Sequence, residues 1–182
     1  MTAASSTQLG QLGQLARLRV VGIGQLVLSA DPGETIITYA LGSCLGVTAY
    51  DRVARVGALV HVQLPMTPAH AEEAVQWPAK FVETGVAQMF RDLYARGARK
   101  ERVELRVAGG ARTTGEAVDE CFEIGRRNIV ALKKVLWQNG VLLKAHDVGG
   151  TAFRTISLRI DDGMVVLATS TASRPLGGDL CP

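Results

Sequence analysis

Apolar stretches rich in Val, Ile, Leu and Thr dominate the first third of the chain. Turn-forming residues such as Asp31-Pro32-Gly33 and Asp51-Arg52 separate these stretches, which is the pattern of strands joined by short turns. We therefore predict four consecutive strands. They comprise residues 19–29, 35–41, 45–50 and 56–64.

Two later segments have helical spacing instead. In the first, apolar residues recur mostly every three or four positions, with Pro78 near the start and Gly97 just past the end, as is typical of helix termini. The second runs from about Gly125 to Gln138 and ends at Asn139-Gly140, a strong C-terminal signal. The first helix's apolar positions are Phe81, Gly85, Met89, Phe90 and Leu93, and the second's are Ile129, Leu132, Val135 and Leu136.

Four further short strands are predicted at residues 103–107, 141–146, 155–160 and 164–168. Asp161-Asp162-Gly163 suits a tight hairpin turn between the last two strands. Because most strand connections are short, we expect largely antiparallel or mixed sheets.

The two ends of the chain differ from this pattern. Residues 1–17 bury little apolar surface and are predicted to form a flexible arm, and residues 171–182 lack periodicity and are predicted to form a loose tail. The predicted domain is therefore residues 18–170.

Composition excludes several classes of protein. The chain has 182 residues, 47% of them hydrophobic and 20% charged, with a net charge of +3, which suits one globular domain without a stabilising metal. Basic residues are spread along the chain and are not interleaved with aromatics, so no nucleic-acid partner is expected. No apolar run approaches the roughly 20 residues that span a bilayer. We expect a cytoplasmic protein with no membrane insertion.

The cysteines and histidines do not form a metal or disulfide pattern. Cysteines are odd in number without CxxC spacing, histidines are scattered, and no nucleotide-binding glycine motif occurs. We expect no metal and no cofactor. The residues concerned are Cys44, Cys121, Cys181, His61, His70 and His146.

Cys44 stands out because glycines frame it. Gly42 and Gly46 lie on either side of it, directly after a predicted strand. Such a turn can present a thiol and nearby backbone amides to one point. An oxyanion formed there would be stabilised by about 3 to 4 kcal/mol per donor. The amides of Ser43 and Cys44 are the candidate donors.

His61 is the candidate base for this thiol. A free thiol has a pKa of about 8.5 and needs a neighbouring group to accept its proton at neutral pH. The Asp51–Arg55 turn would fold the His61 strand back beside the strand after Cys44. A strand cysteine is, however, usually an inert small hydrophobe, and a strand histidine is usually a satisfied core residue. Both interpretations stay open on this reasoning.

Motifs along the chain resemble the CheD family of chemoreceptor glutamine deamidases. The resemblance covers roughly residues 19 to 168, in order. Its motifs are Leu41-Gly42-Ser43-Cys44, Val56-Gly57-Ala58, His61-Val62-Gln63-Leu64-Pro65, Ala79-Lys80-Phe81, Ala108-Gly109-Gly110-Ala111, Ile124-Gly125-Arg126-Arg127-Asn128, Asp147-Val148-Gly149-Gly150 and Arg154-Thr155-Ile156.

The resemblance implies both a fold and a set of site residues. The fold is a three-layer α/β/β sandwich with two main helices. The nucleophile falls on Cys44, the base on His61, and a threonine that orients the imidazole on Thr38. Cys121 and Cys181 match no motif of the family.

The resemblance also implies a function: a protein-glutamine deamidase that converts glutamines of methyl-accepting chemotaxis receptors to glutamate through a thioester, in support of adaptation. A CheC-type phosphatase is an implied further partner. Departures at Gln63 and at Met66-Thr67 flank the base and bear on substrate fit. Two alternatives stay open, namely a non-catalytic adaptor that binds receptors or a CheC-type phosphatase, and a deamidase of other protein targets.

Overall fold

The computed structural model describes residues 17–112 and 121–177. Ten strands and three α-helices are found there, with short 3-10 turns at Pro68–His70, Pro78–Lys80 and Lys100–Arg102. The strands are β1 (Arg17–Val20), β2 (Leu26–Ser29), β3 (Glu34–Leu41), β4 (Leu45–Asp51), β5 (Val56–Val62), β6 (Val103–Gly109), β7 (Leu143–Val148), β8 (Arg154–Arg159), β9 (Val165–Ala168) and β10 (Ser173–Pro175). The helices are α1 (Ala71–Gln76), α2 (Val82–Ala95) and α3 (Cys121–Gln138).

The strands form two five-stranded sheets. Sheet I has the order β1-β3-β8-β9-β10 and sheet II the order β2-β5-β4-β6-β7. The β1–β3 and β6–β7 pairs are parallel and the other pairs are antiparallel. The α3 helix connects the parallel pair β6–β7, as such a pair requires a crossover. The predicted mixed, largely antiparallel sheets are confirmed.

Two apolar layers hold the sandwich together. One lies between sheet II and the two long helices, where Val60 and Val62 meet Met89 and Leu132. The other lies between the sheets, where Leu59 of sheet II meets Ile156 and Leu158 of sheet I. Alternate residues of β5 thus face opposite layers, as the pleat of a strand requires. The predicted three-layer α/β/β sandwich is confirmed.

The first predicted strand is in fact two strands. β1 and β2 are separated by a turn in which the Gln25 amide bonds to the Gly22 carbonyl at 3.1 Å, and Gly24 takes a φ of +71° that favours glycine. β1 then joins sheet I and β2 joins sheet II. Apolar residues continue from Val20 and Val21 through Ile23 to Leu26, so the pattern conceals the break.

The C-terminal boundary also differs from the prediction. Residues 173–175 form β10, which pairs antiparallel with β9, and Leu176 is buried in the layer between the sheets. The loose tail predicted from residue 171 is therefore wrong for this segment. Pro175 concealed the strand, since proline is tolerated on an edge strand such as β10. Cys181, predicted to be exposed in the tail, lies outside the described residues. The same holds for residues 1–16 of the arm predicted at 1–17, whereas its last residue, Arg17, begins β1.

The helices lie close to their predicted positions. α2 ends before Gly97, whose φ of +88° closes the helix. α3 starts at Cys121, four residues earlier than expected, and the apolar residues predicted for its stripe pack on sheet II. Most of the solvated loop predicted at residues 113–122 lies outside the described residues.

Candidate active site

The β4–β5 hairpin brings the predicted nucleophile and base to one end of the sandwich. In its register Gly46 stands opposite His61, and Leu45 opposite Val62. Cys44 directly precedes β4. The Asp51 carboxylate fixes the turn, because it accepts hydrogen bonds from the amides of Val53 and Ala54 at 2.8 and 3.0 Å. The proximity expected from the sequence is therefore found.

The missing side chain at Gly46 makes room for contact between the two sheets. A Cβ atom at Gly46 would lie 2.8 Å from side-chain atoms of Leu41 and Ile156 and 3.3 Å from Thr38. These distances are shorter than ordinary van der Waals contacts. Thr38 of sheet I can therefore reach His61 of sheet II.

A buried hydrogen-bond chain orients the His61 imidazole. The Thr38 hydroxyl donates to the Val21 carbonyl at 2.7 Å, and the same oxygen lies 2.7 Å from His61 Nδ1. A hydroxyl has one proton to donate. Since the Val21 carbonyl receives it, the proton in the Thr38–His61 hydrogen bond must come from the imidazole. We therefore assign a proton to Nδ1, which donates to Thr38 Oγ1. This tautomer leaves a free lone pair on Nε2.

Burial keeps the imidazole neutral. His61 is almost fully buried, and desolvation lowers its pKa to about 4. Its Nε2 is buried and has no hydrogen-bond partner among the described residues, so no hydrogen bond joins it to the Cys44 thiol. Such contacts are often long before a substrate binds. The site thus holds an unprotonated imidazole at neutral pH.

The Cys44 thiol is half-buried and reduced. Desolvation by burial raises its pKa, against an opposing hydrogen bond from its own backbone amide. Both members of the pair are therefore neutral at rest. An attack by sulfur requires transfer of the thiol proton to Nε2 as the reaction proceeds, and a preformed ion pair is not present.

Backbone amides directly after β6 hold the loop that contains Cys44. The Gly110 amide donates to the Cys44 carbonyl at 2.8 Å, and the Ala111 amide donates to the Gly42 carbonyl at 2.7 Å. Gly109 has a φ of +113°, and a Cβ atom there would lie 2.1 Å from the Cys44 carbonyl oxygen. A glycine is thus needed where β6 meets this loop.

Asn128 joins the site although sequence reasoning gave it no role. It is fully buried on α3, and its Nδ2 donates to the carbonyls of Ser43 and Gln63 at 3.0 and 2.9 Å. A signal for it existed. Asn128 precedes Leu132 by four positions and therefore lies on the predicted apolar stripe, where a polar side chain needs a specific partner.

An open groove of about 340 Å³ borders the His61 strand. Gln25 is one of the residues that line the groove, and its backbone carbonyl accepts a hydrogen bond from the His61 amide at 3.0 Å. Ile23 and Trp77 also line it and are 60% and 56% exposed. Large exposed apolar side chains beside a groove are typical of binding surfaces.

Within residues 17–112 and 121–177, no group of three or more His, Cys, Asp or Glu side chains is arranged to hold a metal ion. Across the same residues, no helix is long and apolar enough to cross a membrane.

Fold and site together define an α/β/β sandwich with a buried, neutral imidazole at the same end as a glycine-framed cysteine. Residues 63–169 match the family model for CheD chemotactic sensory transduction. A probable chemoreceptor glutamine deamidase CheD 2 of Anaeromyxobacter dehalogenans is 40% identical over 159 residues, which cover 87% of this chain and 99% of the relative.

Other relatives agree with this match. Probable chemoreceptor glutamine deamidases CheD 1 of Syntrophus aciditrophicus and CheD of Thermococcus kodakarensis are 36% and 38% identical, covering 83% and 80% of this chain and 93% and 88% of the relatives. The chain therefore belongs to the CheD family, as its motifs predicted.

Proposed function

We propose that this protein deamidates glutamine side chains of methyl-accepting chemotaxis receptors in the cytoplasm, and that Cys44, His61 and Thr38 perform the chemistry. The observation that supports this most directly is the Thr38–His61 contact of 2.7 Å, since it leaves a neutral Nε2 lone pair at the end of the sandwich where Cys44 lies. The relatives' names, which give chemoreceptor glutamine deamidase, support the reaction and the substrate.

In the first half of the reaction, His61 Nε2 takes the thiol proton while the Cys44 sulfur attacks the carboxamide carbon. The resulting oxyanion accepts hydrogen bonds from the amides of Ser43 and Cys44. The imidazolium then protonates the leaving nitrogen, the C–N bond breaks and ammonia departs. A thioester remains on Cys44.

In the second half, neutral His61 takes a proton from water, and the hydroxide attacks the thioester. The C–S bond breaks and the proton returns to the Cys44 sulfur, so that one glutamine and one water yield glutamate and ammonia. The reaction needs no metal or organic cofactor. Each conversion adds a negative charge to the receptor and creates a carboxylate that methylation can neutralise, which links the reaction to sensory adaptation.

Thr38 acts on the reaction through His61. Its oxygen accepts the Nδ1 proton and so stabilises both the reactive tautomer and the imidazolium that forms, as the third residue of hydrolase triads does. The groove beside His61, with exposed Ile23 and Trp77, suits a protein surface better than a small molecule. Gln63 lines the same groove, so this departure from the family pattern lies on the surface that we propose contacts the substrate.

The test is incubation of the full-length protein with a purified receptor cytoplasmic domain. We expect ammonia release and, by peptide mass spectrometry, the mass increase that accompanies conversion of Gln to Glu. The increase should be absent with Cys44→Ala and present with the matched control Cys121→Ala/Cys181→Ala, which removes the other two cysteines.

Each other outcome has a definite meaning. No conversion by the wild-type protein, with binding of the receptor domain, would favour the adaptor. Conversion of other proteins but not of receptors would favour a different glutamine substrate. Equal conversion by wild type and Cys44→Ala would remove Cys44 as the nucleophile. A pull-down with a CheC-type phosphatase tests the further partner that the family resemblance implies.

A further inference from the structure

Three successive carbonyls in the Cys44 loop are held by hydrogen bonds. Gly42 O accepts from the Ala111 amide at 2.7 Å, and Cys44 O accepts from the Gly110 amide at 2.8 Å. Between them, Ser43 O accepts from the Asn128 side chain at 3.0 Å. The middle peptide of the loop is thus held by a side chain, whereas backbone amides hold the peptides on either side.

The direction of a carbonyl determines the direction of the next amide. In a trans peptide the C=O and N–H of one planar unit point in opposite directions, and no peptide among the described residues is cis. Ser43 O and the Cys44 N–H belong to one such unit. Because Ser43 O points to Asn128 on α3, the Cys44 N–H points away from α3. By the same geometry, the Ala111 contact turns the Ser43 N–H away from residue 111.

Asn128 also contacts the segment that follows the base. Its Nδ2 donates to Gln63 O at 2.9 Å, two residues beyond His61. One amino group therefore spans the nucleophile loop and the end of the base strand. Gly125 permits this approach, because a Cβ atom there would lie 2.7 Å from the carbonyl oxygens of Gly110 and Ala111. The first turns of α3 can thus pack directly on the segment that holds the loop.

The other end of the Asn128 side chain is unsatisfied. Its Oδ1 is buried and has no hydrogen-bond partner within the described ranges, and Asn128 is 0% exposed. A buried acceptor without a partner costs free energy and calls for an explanation. An apolar residue would continue the stripe of Ile129 and Leu132 without this cost. What Asn128 adds in exchange is the Nδ2 donor at Ser43 O and Gln63 O.

We propose that Asn128 is a positioning residue that directs the Cys44 amide toward the reacting carbonyl oxygen and so builds one donor of the oxyanion hole. This inference rests on the proposed thiol chemistry. Asn128 does not touch the substrate. It acts through the Ser43–Cys44 peptide, which without the Nδ2 contact is free to rotate its N–H out of the site.

The experiment compares Asn128→Ala with the matched control Asn139→Ala, whose side chain bonds to Val135 O near the end of the same helix. For receptor-domain deamidation, we expect Asn128→Ala to lower kcat about 100-fold, the typical effect of losing one oxyanion donor. KM should change by less than about threefold. Asn139→Ala should match the wild type.

Alkylation of Cys44 by iodoacetamide separates positioning from a general structural role. Alkylation requires the thiol and His61 but develops no oxyanion, so its rate in Asn128→Ala should stay within about threefold of wild type. A parallel fall in kcat and alkylation rate would mean that Asn128 only supports the fold. An unchanged kcat would equally overturn the proposal.

A crystal structure of the wild-type protein with a peptide aldehyde on Cys44 keeps the proposal testable if Asn128→Ala does not fold. We expect the hemithioacetal oxygen within hydrogen-bond distance of the Cys44 amide, with Ser43 O still on Asn128. An oxygen that points elsewhere would contradict the inference. This result does not depend on the natural substrate, so it is distinguishable from failure of receptor deamidation.

Discussion

His61 is the residue whose surroundings most strongly limit the chemistry of this site. A histidine in water is partly protonated near neutral pH, but burial between the sheets keeps His61 neutral. The Thr38 oxygen then determines which ring nitrogen carries the proton. The imidazole is therefore held neutral, as the proposed base must be, before any substrate arrives.

A pH titration of His61 tests this state. We expect its imidazole resonances, followed by NMR, to titrate with a pKa of about 4 and to show no transition near the ordinary value of about 6.5. Between pH ~6.5 and about 4 the unfolded chain binds a proton at this histidine and the folded protein does not. The free energy of unfolding therefore gains roughly 3 kcal/mol from the neutral imidazole above pH ~6.5, and this gain is lost as the pH falls through about 4. A midpoint between about 6 and 7 would contradict a desolvated His61.

Substitutions at Thr38 test the orientation of the ring. Thr38→Val keeps the shape of the side chain but removes the oxygen that accepts the Nδ1 proton, so we expect kcat for deamidation to fall roughly 10- to 100-fold. Thr38→Ser retains the hydroxyl and should recover most of the rate. Kinetics at constant pH, with circular dichroism to verify folding, provide the measurement. A loss in Thr38→Ser as large as that in Thr38→Val would contradict the prediction that the hydroxyl alone carries the effect.

At the scale of secondary-structure elements, the β4–β5 hairpin holds the proposed nucleophile and base at one end of the sandwich. The Asp51 carboxylate closes its turn and also accepts from the Arg99 amide at 2.9 Å and from the Arg102 guanidinium. Desolvation alone would raise the pKa of Asp51, but hydrogen bonds from Arg102 and the amides of Ala54, Arg99 and Val53 outweigh it and lower the pKa to about 2.

We expect Asp51→Asn to lower the free energy of unfolding by about 2 to 4 kcal/mol. The reason is that the NH2 group of asparagine, itself a donor, would face other hydrogen-bond donors at a fully buried position. Asp161→Asn is the matched control. The Asp161 side chain, which pairs with Arg55, is 60% exposed. Asp161→Asn should therefore change the free energy of unfolding by less than about 1 kcal/mol. Urea unfolding measures both.

The effect of Asp51→Asn should also depend on pH. The folded pKa of Asp51 lies below the unfolded value, so its ionic contribution is complete above the ordinary pKa of 3.8 and disappears as the pH falls toward about 2. The difference between wild type and variant should therefore be constant at neutral pH and shrink in acid. A pH-independent difference would contradict the ionic explanation.

A β-bulge in β3 shapes sheet I next to the same site. Tyr39 and Ala40 together stand opposite Thr155, since Thr38 pairs with Ile156 and Leu41 with Arg154. The extra residue turns both Thr38 and Leu41 inward, although strict alternation would send Leu41 outward. Ala40 takes a φ of +54° to make the bulge. The sequence contains no glycine at this position to signal it.

At the scale of the whole molecule, the site lies where three layers meet. Thr38 comes from sheet I, Cys44 and His61 from sheet II or its loops, and Asn128 from the helix layer. Each contact between layers joins residues far apart in the chain: 23 positions separate Thr38 from His61, and 85 separate Ser43 from Asn128. Packing of the layers therefore determines whether the site exists.

Local sequence was sufficient for most of the elements and for the hairpin at the centre of the site. Apolar periodicity and turn residues predicted β3, β4, β5 and both long helices, because these signals act between near neighbours along the chain. A short antiparallel turn then necessarily placed His61 beside the strand that follows Cys44. The same signals missed the break between β1 and β2, because apolar residues continue across the turn. They also missed the short strand β10, because it contains Pro175.

Only the tertiary structure decided the state of the site. The role proposed for Thr38 is implied by the family resemblance and not by the strand pattern, while the Val21 carbonyl that accepts its hydrogen bond had no sequence signal. The tautomer and low pKa of His61, and the Asn128 contact with the Cys44 loop, arise from side chains that meet across layers. Periodicity specifies which face of an element is buried, but the partner across that face depends on how complete layers pack.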